Sequence, residues 1–574
     1  MYAARSVKPK LTVSIAATQS TPRPTLSLRS PSLQVPRTPL SPVSAASPTA
    51  KRFSSLQVPS YNYSNSCSSK SILKKAPVSR TGVAKKHIQF QGTPTVHCVT
   101  PIENPDEYYG THTKISREER RWIVREGLLT LAIETSCDDT SVAIVEKENI
   151  SSTSSKSTIH FLENITADSR AHRGIHPILA LESHQASLAN LVNKALSSLP
   201  APKNEGERGS TSIINLADGS LHRRPDFISA TRGPGMRSNL SVGLDTGKAL
   251  SVAWQIPLIG VHHMQAHLLT PRLVSSLSSG VEGQEKKQET TSTRNSHSDT
   301  NTPSFPFLSI LVSGGHSILV HSKSLVDHKI MASSEDIAIG EALDKSAREI
   351  LPPELLQNAK NTMYGKTLED FVFPNGAVDF AGYRPPQNRG EEVIKRHSPY
   401  GWSVTTPFAN TRALQLSFSS IASMVNKIVK GRESISSDER VELGREAMRV
   451  CFEHLASRTI IALEALRRTS MDEEETKTVV VSGGVAANKF LMAVLRSFLD
   501  VRGFEDVEIV APPPNLCTDN AAMIGWAGIE MFEAGWKTDL SCRALRKWTL
   551  DPEAEDGGVL GPVGWVHADA VSKH

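Results

Sequence analysis

The chain is 574 residues long, enough for two to four domains, and carries 64 Lys and Arg against 59 Asp and Glu, a formal charge of +5. No apolar run approaches the roughly 20 residues that a helical membrane span needs, which excludes a helical membrane protein. Six cysteines (Cys67, Cys98, Cys137, Cys451, Cys517 and Cys542) lack CxxC spacing, which excludes a disulfide framework and a cysteine zinc site and indicates a reducing compartment.

Residues 1–102 contain 14 Lys and Arg and no acidic residue, so residues 103–574 hold 50 basic against 59 acidic side chains. The whole-chain charge therefore averages two regions of opposite sign. An acid-free start rich in Arg and Ser predicts an organelle transit peptide, strongest in Met1–Ser30, within a disordered basic extension that reaches residue 121. Apolar patterning then begins near Trp122 and runs to Trp548. Leu129–Ile133, the polar turn Glu134–Thr140 and Ser141–Val145 predict a β-hairpin with an acidic tip. Pro202–Arg224 reads as a polar surface insertion. Asp226–Ala230 predicts a strand, followed by Gly233-Pro234-Gly235 and a helix over Leu240–Trp254.

Ser275–Ser304 is a second, low-complexity insertion. Phe307–Val312 predicts a strand that ends in Ser313-Gly314-Gly315, with Ile318–His321 as its hairpin mate. Phe373–Pro407 is a loop or a small excursion. Thr478–Val481 predicts a strand that ends in Ser482-Gly483-Gly484 and leads into a helix over Ala486–Leu499. Asn520–Ala534 is the closing helix, N-capped by Thr518 or Asp519, and residues 549–574 form a tail. Strands alternating with helices give an α/β protein. The repeated strand-Ser-Gly-Gly unit suggests two lobes facing a nucleotide cleft, as in actin and the sugar kinases. The first spans 122–272, completed by 519–548, and the second spans 305–518.

His263 and His267 are one helical turn apart, and with Asp519 they offer two imidazoles and a carboxylate, a donor set for zinc or iron. The ordinary alternative is two polar residues on an amphipathic helix. Met264 stands where a zinc peptidase would carry its general base, so proteolysis is excluded. The Ser-Gly-Gly turns suit a phosphate, with a close backbone approach and a positive φ expected at Gly315. Asp344, in the charged stretch 341–348, is placed either to accept ribose hydroxyls or on a solvated face. Asn488, read as lying one turn into its helix, is placed to meet a sugar or base edge.

Seven ordered segments carry a family resemblance: Ile133–Thr140, Thr231–Gly235, Gly260–His267, Leu311–His316, Gly340–Lys345, Gly483–Asn488 and Cys517–Ala522. Over about Leu129 to Trp548 the chain resembles the universal tRNA threonylcarbamoyladenosine transferases. Its Glu-Thr-Ser-Cys-Asp-Asp hairpin is similar to the bacterial and mitochondrial branch. The resemblance implies transfer of a threonylcarbamoyl group from threonylcarbamoyl-AMP to N6 of the adenosine 3′ of the anticodon, in tRNAs reading codons that begin with A. It implies one divalent ion per subunit, iron or zinc, on His263, His267 and Asp519. It implies an adenylate site lined by Leu311, Val312, Ser313, Gly314 and Gly315. Substrate contacts would come from Asp344, Gly365, Glu369, Ala487, Asn488 and Thr518, with Asp138 as an acidic group near the reacting centre. Here Met363–Glu369 stands where the family carries Tyr-Pro-Gly-Gly-Pro. Implied partners are tRNA, a separate adenylate-forming enzyme and a second copy of the chain in a homodimer, in the mitochondrial matrix. The rivals are a small-molecule kinase on the same fold and a non-catalytic actin-like binding module.

Overall fold

The computed structural model describes residues 127–568 apart from 152–153, 170–171, 173–174, 203–211, 279–300, 359–363 and 470–474. The expected transit segment Met1–Ser30, the rest of the basic extension and most of the 275–304 insertion lie outside the described residues. Strand β1 (Leu128–Glu134) pairs antiparallel with β2 (Asp139–Ser151), which pairs antiparallel with β3 (Ser154–Thr166). After helix α1 (Pro177–Leu196), β4 (Phe227–Gly233) lies parallel to β1. Helix α2 (Arg237–Trp254) leads to β5 (Leu258–His262), parallel to β4, and α3 (His263–Ser278) begins at the next residue.

The second sheet repeats this plan. Strands β6 (Phe307–Val312), β7 (Ser317–Ser322) and β8 (His328–Ser333) form an antiparallel meander. Helices α4 (Ile339–Ile350), α5 (Tyr364–Val372), α6 (Ser419–Lys430) and α7 (Ser437–Thr469) follow. Strand β9 (Thr478–Ser482) then lies parallel to β6, and after α8 (Lys489–Val501) β10 (Glu508–Val510) lies parallel to β9. Helix α9 (Ala521–Glu533) and strands β11 (Trp536–Thr538) and β12 (Trp565–His567) return to the first sheet, whose order is β12-β11-β5-β4-β1-β2-β3. The second is β8-β7-β6-β9-β10. In both, three meandering strands are extended beside the first by two parallel strands. That duplicated connectivity is the two-lobed plan expected from the sequence.

Burial explains why β1 reads as an unbroken apolar run. Successive side chains of a strand face opposite ways, and both faces of β1 are covered. Leu129, Leu131 and Ile133 pack with Leu188, Leu240 and Leu244 from α1 and α2. Leu128 and Ala132 pack with Leu268 of α3 and Trp526 of α9. This second cluster also takes in Leu311 and Val320 of the second sheet, so α3 is embedded between the two lobes.

Several expectations shift. Residues 549–568 are not a loose tail: Leu550 and Val559 are buried, Trp548 donates to the Gly558 carbonyl at 2.9 Å, and β12 pairs with β11. The 202–224 insertion ends in a short hairpin, Ile213–Asn215 with Leu221–Arg223. Helix α3 extends into the second insertion. On its far side the Asn301 and Pro303 carbonyls accept from buried Arg272, so the insertion leaves and rejoins at one place. The 373–407 excursion holds two short helical turns and seats Trp402 and Val404 in the core of the second lobe, with Leu308, Ile310 and Phe418.

Candidate active site

The candidate residues collect at the carboxyl ends of the parallel strands, where open α/β sheets leave a crevice. From the first sheet, β1 ends at Glu134 before the acidic turn, β4 ends at Gly233, and β5 runs directly into His263. From the second, β6 ends at Val312 and β9 at Ser482, each directly before its glycine turn. His263 and His267 are both buried, and their rings are 4.8 Å apart and nearly perpendicular. Asp519 reaches them from the segment before α9. Its Oδ1 lies 3.1 Å from His267 Nε2 and 3.6 Å from His263 Nε2.

Asp519 is free for this because it is not the helix cap. Asn520 is, accepting from Met523 N at 3.0 Å, which corrects the expected capping by Thr518 or Asp519. One donor atom from each of the three side chains lies within 4.8 Å of the other two. Donors about 2 Å from a tetrahedral cation are roughly 3.3 Å from one another, so the separations to Asp519 fit such an ion. Two imidazoles and a carboxylate suit a first-row divalent metal, and the residues present therefore fit the ion that the sequence implies.

Electrostatics bind the cluster together. Burial opposes a charge on His263, but Asp519 and Glu134 outweigh it and push its pKa up to about 9. Burial likewise acts to raise the Asp519 carboxyl, yet the histidines hold it below the usual carboxylate range. Glu134 lies under His263, with Oε2 3.3 Å from Nδ1. Leu311, in the strand that leads into the Ser313-Gly314-Gly315 turn, packs in one cluster with Met264 and Ala266 of α3, which brings that strand end to the histidine helix.

Asp138 sits at the half-buried tip of the β1–β2 turn. Burial, the largest influence on its carboxyl, and the negative charge of Asp519 lift it above the usual range. The tip is fixed by residues that sequence reasoning missed. The Cys137 carbonyl accepts from Asn239 Nδ2 at 2.7 Å and lies 3.0 Å from His184 Nε2, while His184 Nδ1 is 2.8 Å from Thr140 Oγ1. The available signal was a single histidine on the apolar face of α1. Burial pushes the Cys137 thiol far up, so it is no nucleophile.

Across the crevice, Leu311 and Val312 are buried in β6, and Gly314 and Gly315 are exposed. Neither glycine has a positive φ, which corrects the expectation for Gly315, and a Cβ on either would meet open space. The left-handed position is Gly483 of the second turn, at φ +95°, where a Cβ would lie 2.4 Å from the Val312 carbonyl oxygen. Gly340 at the start of α4 lies under the first turn, and its N–H donates to the Ser313 carbonyl at 3.2 Å. Asp344 accepts from Gly365 N at 2.7 Å, and burial raises its pKa to about 6. Glu369 is buried and accepts from Lys489 N at 2.9 Å, tying α5 to α8. Thr518 and Ala487 are exposed, and Thr518 lies close to Gly484. Asn488 is corrected: it is the N-cap of α8, accepting from Leu491 N at 3.0 Å, not a residue one turn inside. Its carboxamide oxygen is thus occupied by the backbone.

Two lobes of repeated topology, with glycine turns and a histidine–aspartate cluster at facing strand ends, define an α/β protein of the actin and sugar-kinase plan. A family profile described as tRNA N6-adenosine threonylcarbamoyltransferase matches residues 214–284 and 290–526. A mitochondrial tRNA N6-adenosine threonylcarbamoyltransferase of Schizosaccharomyces pombe is 32% identical over 466 residues, covering 79% of this chain and 94% of that protein. tRNA N6-adenosine threonylcarbamoyltransferases of Zymomonas mobilis and Rhizobium etli are 28% and 30% identical, each covering 74% of this chain and 93% and 95% of their own lengths. The chain belongs to the tRNA N6-adenosine threonylcarbamoyltransferase family. A solved hexokinase overlaps 70% of this chain and 85% of its own with a TM-score of 0.28 at 13% identity, too loose to bear on the fold.

Proposed function

We propose that this chain transfers the threonylcarbamoyl group of threonylcarbamoyl-AMP to N6 of the adenosine 3′ of the anticodon, in tRNAs reading codons that begin with A, within the mitochondrial matrix. The observation that carries this reading is the cluster of His263, His267 and Asp519, whose helix α3 packs against β6, the strand that leads into the exposed Gly314 and Gly315. The mitochondrial relative and the acid-free N-terminal segment support the compartment.

The substrate is a mixed carbamic–phosphoric anhydride, already activated, so the protein needs no nucleophile of its own. The amine N6 attacks the carbamoyl carbon, the C–O bond to phosphate breaks, and AMP leaves. Backbone N–H groups of Ser313, Gly314 and Gly315 would hold the phosphate, Asp344 the ribose, and Gly365, Glu369, Ala487 and Thr518 the walls around it. A bound zinc or iron ion would act as a Lewis acid toward the substrate. Asp138, with its raised pKa, would take the proton that the attacking amine loses. We assign the adenylate to a separate adenylate-forming enzyme and the working unit to a homodimer. Among the described residues no helix is long and apolar enough to cross a membrane.

Reconstitution tests the reading. Protein, ATP, threonine, bicarbonate, the adenylate-forming enzyme and unmodified tRNA should yield the modified nucleoside. Its absence with metal-loaded protein, or phosphoryl transfer in its place, would favour the kinase alternative. Asp138→Asn is expected to lower kcat by about 10²-fold or more while adenylate affinity holds, the usual range for a lost general base. An unchanged kcat would remove Asp138 from proton transfer. Met1–Ser30, fused to a fluorescent reporter, is expected to direct it into mitochondria; a cytosolic or nuclear signal would refute the compartment.

A further inference from the structure

We propose that Glu134 is the positioning residue of the metal site: it fixes the His263 ring with Nδ1–H inward and so presents Nε2 to the cation. The inference rests on reading His263, His267 and Asp519 as ligands. Glu134 is fully buried at the end of β1. Its Oε1 accepts from Ser136 N at 2.5 Å, and its Oε2 accepts from the Thr231 hydroxyl and lies 3.3 Å from His263 Nδ1. An ionised carboxylate only accepts hydrogen bonds. Donors from two strand ends hold this one in a single orientation, with its remaining capacity turned to the imidazole. A neutral His263 then carries its proton on Nδ1, and the Nε2 lone pair points toward Asp519.

The site is asymmetric in this respect. His267 Nδ1 is buried and has no hydrogen-bond partner among the described residues. On the side of the ring away from Asp519, one ligand is backed by a carboxylate and the other by no hydrogen-bond partner among the described residues. Carboxylates behind a ligating imidazole fix its tautomer and raise its basicity, and their loss typically costs 10- to 100-fold in metal affinity. The arrangement also joins the ion to the chemistry at the hairpin, because the peptide N–H that Glu134 accepts belongs to Ser136, two residues before Asp138. Ser136 Oγ also lies 3.3 Å from His263 Nδ1, so the hydroxyl is the competing partner that the test has to separate.

The experiment titrates Zn²⁺ into metal-stripped full-length protein against a chromophoric chelator, for wild type, Glu134→Gln, Glu134→Asp and Ser136→Ala. Glu134→Gln is expected to raise the Zn²⁺ Kd by about 10- to 100-fold. Glu134→Asp, which keeps the charge but draws it back from the ring, should fall between the two, and stands in if the glutamine variant does not fold. Ser136→Ala should stay within about twofold of wild type. A merely structural glutamate would not move the downfield imidazole N–H resonance of His263 in the Zn²⁺-loaded protein, identified in ¹⁵N-histidine-labelled protein by its through-space contacts to Ser136. We expect that resonance to shift or vanish in Glu134→Gln. A folded Glu134 variant with wild-type Kd and an unchanged resonance overturns the proposal, as does a Ser136→Ala loss equal to that of Glu134→Gln. Wild type that binds no Zn²⁺ would instead sink the ligand assignment itself.

Discussion

His267→Ala yields a folded protein that holds no stoichiometric divalent metal and transfers the threonylcarbamoyl group slower by on the order of a hundredfold or more, the effect of losing several kcal/mol of Lewis-acid stabilisation. Its fold should survive well, because among the described residues the ring's one hydrogen bond is to Asp519 at the site itself. His263→Ala should lose metal and activity alike but melt lower, since it leaves the buried Glu134 carboxylate without its imidazole. Elemental analysis, melting temperature and transfer rate on the same samples check all three statements. Full activity in a metal-free variant would remove the ion from the reaction.

The same cluster sets a pH dependence. With its pKa pushed up to about 9, His263 is protonated near pH 7 in the metal-free protein, and a cation must displace that proton. Apparent metal affinity should therefore rise with pH, by up to about tenfold per unit, and level off near 9. A flat profile between pH 7 and 9 would show that His263 does not titrate in this way.

Gly315→Val is expected to weaken adenylate binding more than tenfold, about 1.4 kcal/mol or more, with metal content and melting temperature close to wild type. The reason is steric. The turn has an ordinary backbone and open space above it, so a valine side chain costs the fold little and fills the volume that a phosphate would occupy. Gly483→Val should behave in the opposite way. At φ +95°, against the Val312 carbonyl, the added side chain strains the backbone and lowers stability first. Calorimetric titration of a non-hydrolysable adenylate into each folded variant separates the two. Unchanged affinity in folded Gly315→Val would remove this turn from the site.

What the sequence made legible is local or periodic. The apolar runs that became β1, β4, β6 and β9 stand within a few residues of their expected bounds, and the one-turn spacing of His263 and His267 appears as read. The misses come from contacts between distant segments. Thr518, Asp519 and Asn520 are all good caps by residue type; Asn520 takes the role because Asp519 is drawn to the histidines. Asn488 looked free because its use as a cap depends on where the helix begins, and a short 3₁₀ turn moved that start to Lys489. Glu134 lies 129 positions from His263, and no local pattern joins them. The positive φ falls on Gly483 and not on Gly315, because residue type shows which positions tolerate such a backbone, not which of two similar turns adopts it.

The cluster also has a meaning in polymer terms. His267 and Asp519 are 252 positions apart, and the whole of the second sheet lies between them. An ion bound to both is a reversible cross-link that closes this loop in the native chain. Such a link strengthens with free metal concentration by simple mass action. Stripping the ion should therefore loosen the return of α9 to the first sheet as well as empty the candidate site. Metal supply would then govern how long the folded enzyme lasts, not only how fast it turns over.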